Sequence, residues 1–596
     1  MKKFERYWLN QSKILKWHNK PKKIFRKKDN NKSEWFTDGK LNLYENCIER
    51  HLNDKTRFKT AIILIDENKN IKKYSYIKIH QMVNNFCEYL ISNKIKVSSA
   101  IIHSSASLVS AISMLALSKL AIHFSVIFED LQIEAINSRI KILKPNLVIT
   151  RGNLSCVKGI QTSLKNNKIK NFLVISSRRN LFNQKSKNFS FYNFQKNLNS
   201  KYIKSKIISA PTPLFTLFTS GSTGEPKGIT HSTGGYLLYS IYTSKKQFGM
   251  SKKSVVLTAS DAGWINGHTY SFFSPLALGA TTILLEKPTI IIDYKFLKKI
   301  INKFSISILY LPVTLIRILK SIIPESERFK KNKLLSIGSM GEPLASSVAK
   351  WYSNYFFNKD KPIVNTYFQT ETGGIICSPK YSGKETLYGT VGKPLNKFIK
   401  INLPKNKKKF LLEINSKWPG CMINVANGKK FWNKYWVNKK FQLFDIASLD
   451  RKNNIVINGR SDDVINIRGH RIGSEEIESI LLKANEVVEA AAISIMDELE
   501  GSRLIYFIKS KDSADETKIS KIVNESILKY FGSYALPKNI IFVSDLPKTK
   551  SGKILRRILR LIYENPNIKN INNVSTINKR ETIENLKLEI LSQVRN

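Results

Sequence analysis

Short apolar runs that alternate with helical patterns constrain the fold of this chain most strongly. Such alternation is typical of an α/β architecture with largely parallel strands. The strand-like runs are residues 61–65, 124–128, 147–150, 172–175, 255–257, 281–285, 306–311 and 334–336. A chain of 596 residues is also too long for one compact core, so we expect at least two domains.

The pattern changes after Asp450 and predicts a compact α+β unit. Residues 454–458 read as a strand, and residues 463–473 resemble a hairpin. Ser474 is expected to cap a helix, because apolar residues follow it at i, i+3, i+4 and i+7 spacing. These residues are Ile477, Ile480, Leu481 and Ala484, and a strand is predicted next at 490–495. The Asn-rich tail after Tyr563 is expected to be peripheral.

Lys and Arg outnumber Asp and Glu by 98 to 45, which gives a net charge of +53. A nucleic-acid-binding protein is one interpretation of this charge. The lysines, however, are spread along the whole chain rather than clustered on one element, which favours a solvated basic surface. An anionic small molecule would still be attracted by it. We therefore expect no nucleic-acid partner.

The cysteines and the apolar segments predict a soluble cytoplasmic protein without a membrane partner. The five cysteines are widely spaced and form no CxxC pair, which argues against a zinc site and a disulfide framework. The N-terminus lacks the apolar core of a secretory signal. Residues 108–128 are the best transmembrane candidate, but Lys119 and His123 interrupt them, so a buried helix followed by a strand is predicted.

A loop rich in glycine and hydroxyl groups carries the strongest chemical signal. Its glycines let backbone N–H groups turn toward one point, and its hydroxyls add donors, so it is suited to wrapping a polyphosphate. It is not a P-loop, because Lys227 lies between Pro226 and Gly228 and no GK[ST] follows. This disfavours a P-loop kinase or ATPase. The candidate phosphate-binding residues are Thr219, Ser220, Gly221, Ser222, Thr223, Gly224 and Lys227.

This loop resembles the phosphate loop of the adenylate-forming superfamily, which includes acyl-CoA synthetases, luciferases and peptide-synthetase adenylation domains. Further segments resemble its other motifs in the same order. They are GEP at Gly341, Glu342 and Pro343, YFQTETGG from Tyr367, FD at Phe444 and Asp445, GRSDD from Gly459, and PKTKSGK ending at Lys553.

Within that superfamily the chain is most similar to the acetyl-CoA synthetases, over nearly its whole length. Only the charged stretches around 178–206 and 400–440 look like inserts. The distinguishing motifs are WFxxGxLN from Trp35, DxGWxxGH from Asp261, the double glycine after Thr372, and GHR from Gly469.

The resemblance implies a large multi-layered α/β N-terminal domain at 1–461 and a small mobile α+β C-terminal domain at 462–596, with a family-specific N-terminal segment at 1–55. It implies that ATP and Mg²⁺ activate a short-chain carboxylic acid, most simply acetate, to an acyl-adenylate, which is then transferred to CoA. Propionate or another short acid is an alternative. A superfamily enzyme that passes its acyl group to a carrier protein or amine is disfavoured by the N-terminal motif.

The resemblance also implies roles for individual residues. Lys553 would be the catalytic cation that stabilises charge at the α-phosphorus, and its acetylation by a lysine acetyltransferase would silence the enzyme until a deacetylase restored it. Glu371 would ligate Mg²⁺, and Asp462 would be the hinge. The residues implied to contact ATP or AMP are Gly341, Glu342, Pro343, Asn365, Thr366, Tyr367, Phe368, Gln369, Thr370, Asp445, Arg460 and Arg471.

The sequence departs from the family pattern at several of these sites. The usual Asp before the QTETG motif is Asn365, whose amide oxygen can still accept from the adenine amino group. The usual TGD, whose Asp is implied to accept from both ribose hydroxyls, is reduced to FD at Asp445. Arg468 replaces the usual Ser near the CoA tunnel, and Arg468 and Gly469 are the residues implied to contact CoA. The implied acyl pocket comprises Trp264, Ile265, Asn266, Met340 and Phe368, in which Phe368 replaces the usual Trp and Asn266 the usual Thr.

Overall fold

The fold is described from a computed structural model of the full chain. The structure describes residues 1–129, 131, 133–151, 171–175, 189–194, 201–220, 226–329, 332–357, 361–383, 387–403, 409–426, 428–461, 464–467, 470–495, 503–549, 552–568 and 581–594.

An eight-stranded sheet forms one layer of the molecule. Its strands are parallel except at one end, where a hairpin and a short strand pair antiparallel. Their spatial order is Phe189–Tyr192, Asn171–Ile175, Leu147–Arg151, Ser99–His103, His123–Ile127, Pro213–Ser220, Pro226–Ser232 and Asn424–Val425. Near-continuous apolar burial along the central strands is expected for a parallel sheet covered on both faces.

A seven-stranded sheet forms a second layer. Its first six strands are parallel and the last pairs antiparallel. Their spatial order is Val364–Asn365, Ser336–Met340, Ile308–Pro312, Val255–Thr258, Thr281–Leu285, Thr60–Ile65 and Ile71–Ser75. The two large sheets, with the helices listed below, give the predicted α/β architecture, which is thereby confirmed.

Smaller sheets complete the molecule. An antiparallel sheet joins Phe410–Ile414, Lys440–Leu449, Trp436–Val437 and Ile455–Arg460. The predicted hairpin is present as Val464–Ile467 and His470–Gly473, and a three-stranded sheet joins Val487–Ile495, Arg503–Ser510 and Asn539–Phe542. Two-stranded sheets pair Phe25–Lys27 with Ser33–Trp35 and Lys40–Leu41 with Ile208–Ser209.

Helices cover the sheets. The described α-helices are Lys3–Ser12, Leu43–Cys47, Tyr76–Ser92, Leu108–Lys119, Ile133–Leu143, Thr233–Phe248, Ser274–Ala277, Tyr294–Lys303, Val313–Ile322, Ser346–Phe357, Lys429–Lys434, Ser474–Leu481, Glu516–Phe531, Arg556–Glu564 and Glu581–Val594. A π-helical segment, Gly267–Phe273, lies directly after the DxGWxxGH residues Trp264 and Asn266.

Three sequence predictions differ from the structure. The strand predicted at 334–336 is observed at Ser336–Met340, because its pairing with the neighbouring strand begins only at Ser336, opposite Ile308. Ser474 is the first residue of its helix, and that helix ends at Leu481, before Ala484. The tail after Tyr563 is not peripheral, because the helix Glu581–Val594 buries Ile583, Leu586 and Ile590 against the C-terminal core.

Candidate active site

The carboxyl ends of neighbouring parallel strands assemble the candidate site. Strands Val364–Asn365, Ser336–Met340, Ile308–Pro312 and Val255–Thr258 are adjacent in that order. Because parallel strands end at the same edge of a sheet, the segments that follow them meet there, and ligands of open α/β sheets bind at such edges. The GEP, YFQTETGG and DxGWxxGH motifs follow three of these strands.

Asp445 is a buried acceptor on which the YFQTETGG segment converges. Its side chain is 6% exposed. The Tyr367 hydroxyl donates to Asp445 Oδ2 over 2.5 Å, and Gln369 Nε2 donates to the same oxygen over 2.6 Å. Arg460, whose backbone alone is described, pairs with Asp445 across the antiparallel strands. The structure thus brings four predicted nucleotide-binding positions together.

Glu371 lies in a single 3₁₀ turn, Thr370–Thr372, which follows the strand Val364–Asn365. The Tyr435 hydroxyl donates to Glu371 Oε1 over 2.5 Å, and the side chain is 9% exposed. The Thr370 carbonyl accepts from His231 Nε2 over 2.7 Å. Burial lowers the pKa of His231 to about 4, so the ring is neutral near pH 7 and this nitrogen carries its proton.

The strands on either side of the predicted phosphate loop form an antiparallel hairpin whose pairing extends to the residues that flank the loop. Ser220 pairs with Pro226, and Thr219 pairs with Lys227. The Lys227 ammonium lies 5.4 Å from the centre of the Tyr435 ring and 5.9 Å from that of Phe431. Within the predicted loop, Gly221, Ser222, Thr223 and Gly224 lie outside the described residues.

The GEP segment and the loop that carries Lys553 both contact Thr314. Gly341 has a left-handed backbone, φ +89°, and Pro343 follows Glu342 at the partly exposed end of this segment. Glu342 forms an ion pair with Arg317 over 2.8 Å and accepts from Thr314 Oγ1 over 3.3 Å. Thr314 Oγ1 also lies 3.5 Å from the carbonyl oxygen of Gly552. The exposed Lys553 therefore directly follows a residue that contacts the start of the helix Val313–Ile322.

Asn365 and Thr366 already bond within the protein. Asn365 Oδ1 accepts from Ser339 Oγ over 2.9 Å, and its Nδ2 donates to the Thr390 carbonyl over 2.8 Å. Thr366 Oγ1 lies 2.6 Å from the Tyr310 hydroxyl. An amide oxygen has two lone pairs, so Asn365 keeps one for the predicted bond from the adenine amino group.

The predicted acyl-pocket residues lie on three segments that the structure brings together in part. Asn266 Nδ2 donates to Met340 Sδ, and both side chains are buried, as is Ile265. Phe368 packs edge-to-face on Tyr270 at 5.6 Å, and Trp264 packs on Phe128 at 4.9 Å. Asn266 Oδ1 is buried without a hydrogen-bond partner among the described residues.

Several predicted residues are not placed. Arg468, Gly469 and Asp462 lie outside the described residues, and only the backbone of Arg471 is described. Sequence reasoning missed Thr314, for which no motif gives a signal. It also missed Tyr435, which lies within the stretch at 400–440 that looked like an insert. A density of aromatic residues there was the available signal, because Trp418, Trp432, Tyr435 and Trp436 are all buried.

Two features are absent from the described part of the chain. No described helix is long and apolar enough to cross a membrane. No group of three or more His, Cys, Asp or Glu side chains able to hold a metal ion occurs among the described residues.

Most of the chain matches models of known protein families. Residues 49–408 match the AMP-binding enzyme family, residues 476–553 match the AMP-binding enzyme C-terminal domain, and residues 1–47 match the acetyl-coenzyme A synthetase N-terminus.

Solved structures share the fold. The acetoacetyl-CoA synthetase from Streptomyces lividans superposes with a TM-score of 0.82 at 15% identity, covering 100% of this chain and 93% of that one. The anthranilate CoA ligase AuaEII, in complex with anthranoyl-AMP, superposes with a TM-score of 0.74 at 18% identity, covering 87% and 97%. At these identities the likeness supports the fold alone.

Curated relatives extend over nearly the whole chain. The acetyl-coenzyme A synthetase of Helicobacter acinonychis is 31% identical over 98% of this chain and 93% of the relative. That of Leptospira biflexa is 32% identical over 98% and 94%, and that of Helicobacter pylori strain P12 is 32% identical over 94% and 89%. The chain therefore belongs to the AMP-binding enzyme family and, within it, to the acetyl-coenzyme A synthetases.

Proposed function

We propose that this protein converts acetate, ATP and CoA to acetyl-CoA, AMP and pyrophosphate through an acetyl-AMP intermediate. The relatives named acetyl-coenzyme A synthetase support this activity. One structural observation carries the proposal. Tyr367 and Gln369 converge on the buried carboxylate of Asp445, which would provide an acceptor for the two ribose hydroxyls of the nucleotide.

In the first step, a carboxylate oxygen of acetate attacks the α-phosphorus of ATP. The bond from that phosphorus to the bridging oxygen breaks, and pyrophosphate leaves. Charge builds on the phosphoryl oxygens, so a nearby ammonium stabilises this state. We assign that role to Lys553, which the Gly552–Thr314 contact supports. Lys227 and the loop from Thr219 to Gly224 would hold the departing phosphates.

Glu371 fits the Mg²⁺ that accompanies ATP. Its carboxylate is buried, one oxygen accepts from Tyr435, and no hydrogen bond from a described residue reaches the other oxygen. Magnesium bound with ATP needs only one or two carboxylates from the protein, which agrees with the absence of a larger acidic cluster among the described residues. When bound, the ion would offset the negative charge of the phosphates.

In the second step, the CoA thiol attacks the acetyl carbonyl carbon. The bond to the phosphate oxygen breaks, AMP leaves, and the thiol proton passes to solvent. We propose that rotation about Asp462 exchanges the Lys553 loop for the segment at Arg468 and Gly469, which would face CoA. The domain boundary at 461/462 stays a prediction.

The acyl pocket is proposed to hold short acids. Phe368 is smaller than the Trp that is usual at its position, so it makes the pocket deeper. Met340 is larger than the usual Val and takes up part of that space. One methylene of the acid changes its binding free energy in an apolar pocket by only about 1–3 kcal/mol. We therefore expect acetate and propionate to differ by no more than about a hundredfold in kcat/KM, and acids of six carbons or more to fail. Phe368→Gly should extend the range upward.

The deciding experiment measures pyrophosphate release with acids of two to six carbons, with and without CoA. Acetate-dependent release and CoA-dependent acetyl-CoA formation are expected. Rapid turnover of hexanoate would overturn the short-chain assignment, and absence of acid-dependent release would overturn the adenylate chemistry. Glycolate belongs in the panel as a second candidate substrate, because Asn266 Oδ1, which has no hydrogen-bond partner among the described residues, would accept a bond from its hydroxyl.

Other assignments remain predictions from the sequence. They are the cytoplasmic location, the absence of nucleic-acid and membrane partners, and the action of an acetyltransferase and a deacetylase on Lys553. The buried thiols of Cys47, Cys87, Cys377 and Cys421, none in a disulfide, support a reducing compartment. The exposed side chain of Lys553 supports access by a modifying enzyme.

A further inference from the structure

We propose that Tyr435 is a positioning residue that fixes the carboxylate of Glu371 and the ammonium of Lys227 at the same time. Its hydroxyl contacts the predicted metal ligand, and its ring faces the predicted phosphate-binding cation. The inference rests on the proposed function, because it assigns Tyr435 to the site at which metal and nucleotide phosphates would bind.

The ring of Tyr435 is held in one place by its surroundings. It is 2% exposed and lies directly after the helix Lys429–Lys434. It stacks on Phe441 at 5.7 Å with an interplanar angle of 14°, and its edge packs on Phe444 at 5.6 Å. A phenol enclosed in this way has little rotamer freedom, so it can serve as a fixed reference for its neighbours.

The hydroxyl sets the orientation of the Glu371 carboxylate. It donates to Oε1 over 2.5 Å within a buried environment, where such bonds are strong. The phenol takes one lone pair of Oε1, whereas no hydrogen bond from a described residue reaches Oε2, so we expect Oε2 to be the oxygen that meets a cation. Carboxylates that bind metals are commonly oriented by a hydrogen-bond donor of this kind, and loss of that donor weakens metal binding by about 10–100-fold.

The face of the same ring holds the Lys227 ammonium. The nitrogen is 5.4 Å from the ring centre, within the range of a cation–π interaction. Phe431, on the helix that Tyr435 follows, provides a second ring at 5.9 Å. Lys227 is the second residue of the strand that leaves the phosphate loop, so this interaction fixes a cation where phosphates are expected. The Tyr435 side chain therefore sets the distance between the Glu371 carboxylate and the Lys227 ammonium, the two groups that would meet the polyphosphate.

The test measures metal binding rather than turnover. Free Mn²⁺ is followed by electron paramagnetic resonance as it is titrated into the protein with α,β-methylene-ATP, an analogue that the first step cannot cleave. Tyr435→Phe removes the hydroxyl and keeps the ring, so Mn²⁺ affinity should fall about 10–100-fold, while metal-free affinity for the analogue stays unchanged. Tyr435→Leu should also weaken metal-free binding, by about twofold to fivefold.

Two controls separate positioning from a general loss of structure. Tyr352→Phe removes another buried hydroxyl, which donates to the Gly338 carbonyl over 3.3 Å, and should leave both affinities unchanged. In a Glu371→Gln background, Tyr435→Phe should have no further effect on Mn²⁺ binding, because a residue that acts through another is not additive with it.

The outcomes distinguish this inference from the proposed function. Unchanged Mn²⁺ affinity in Tyr435→Phe, or a full additional loss in the Glu371→Gln background, would overturn the role of Tyr435 while the proposed function stands. If the unaltered protein bound neither the analogue nor its Mn²⁺ complex, the proposed function itself would fail, and this inference with it.

Discussion

At the scale of single residues, Phe444 has a left-handed backbone, φ +56°, directly before the buried carboxylate of Asp445. A bulky residue in this region is strained, and such strain clusters at functional sites. The Phe444 ring packs against the Tyr435 ring, with 5.6 Å between the ring centres. The shortened FD motif thus keeps the backbone turn that a glycine would adopt without strain.

We predict that Phe444→Gly is more stable than Phe444→Ala. Both variants lose the ring, but only glycine adopts a positive φ without a Cβ penalty, which is about 1–2 kcal/mol. The free energies of unfolding in urea provide the comparison. Equal stabilities, or a more stable alanine variant, would show that the backbone at this position is not strained.

Lys553 is the residue on which the first step should depend. We predict that Lys553→Ala abolishes ATP–pyrophosphate exchange but still converts supplied acetyl-AMP and CoA to acetyl-CoA, because only the first step builds charge at phosphorus. Lys529→Ala, at an exposed lysine on the helix Glu516–Phe531, is the matched control and should be active in both. A similar loss of both half-reactions in Lys553→Ala would contradict this division.

At the scale of elements, the loop before Lys553 docks through Gly552 onto the start of the helix Val313–Ile322. Gly552 has φ +85°, and a Cβ there would lie 2.4 Å from Thr314 Oγ1. Thr549 accepts from the Gly552 N–H over 2.8 Å, which closes the turn. Glycine is therefore required both by the turn and by the close approach.

We predict that Gly552→Ala lowers ATP–pyrophosphate exchange at least about tenfold, since a left-handed alanine costs about 1–2 kcal/mol and the clash adds to it. Thioester formation from supplied acetyl-AMP should be spared. Adding Thr314→Ala removes the clashing oxygen and should restore part of the exchange. An unaffected single variant would show that this contact does not belong to the adenylating conformation.

At the predicted hinge, Asp462, we expect the opposite pattern to that of Gly552→Ala, with the second step lost rather than the first. Hinges absorb large dihedral changes at few residues, and proline fixes φ. We predict that Asp462→Pro keeps ATP–pyrophosphate exchange and loses acetyl-CoA formation, with both measured on the same preparation. Full activity in both steps would refute the hinge assignment.

At the scale of the whole molecule, buried neutral histidines link stability to pH. Burial lowers the pKa of His123 to about 4, of His231 to about 4 and of His268 to about 3. Their unfolded pKa is about 6.5, so below that pH the unfolded chain binds more protons than the folded one. Their contribution to stability is thus complete above pH 6.5 and is lost as the pH falls toward 4.

We predict that the free energy of unfolding falls between pH 6.5 and pH 5, by about 2 kcal/mol for each such histidine. Urea denaturation at several pH values measures this. His123→Gln removes one titrating group and keeps a side chain able to bond to Thr216, which lies 2.9 Å from His123 Nε2. Its loss of stability over this range should be smaller, and equal losses in both proteins would contradict the prediction.

The sequence alone determined the α/β architecture, because the apolar periodicity of a strand or a helix is a local property that does not depend on how the strands pair. It also indicated which residues form the family motifs, because the chemistry expected at a phosphate or a ribose restricts the residue types that could act there; the roles of these residues stay predictions. Thus the predicted strand at 281–285 is observed at the same residues, and Asp445 lies where Tyr367 and Gln369 meet it.

Only the tertiary structure decided which distant residues serve one site. Tyr435 and Glu371 are 64 positions apart, and Thr314 and Gly552 are 238 apart. No local pattern relates such positions, since their approach depends on the order of strands in two sheets and on the docking of the C-terminal loop. The same reason explains the docking of the helix Glu581–Val594, because its apolar residues Ile583, Leu586 and Ile590 are buried only by the C-terminal core against which they pack.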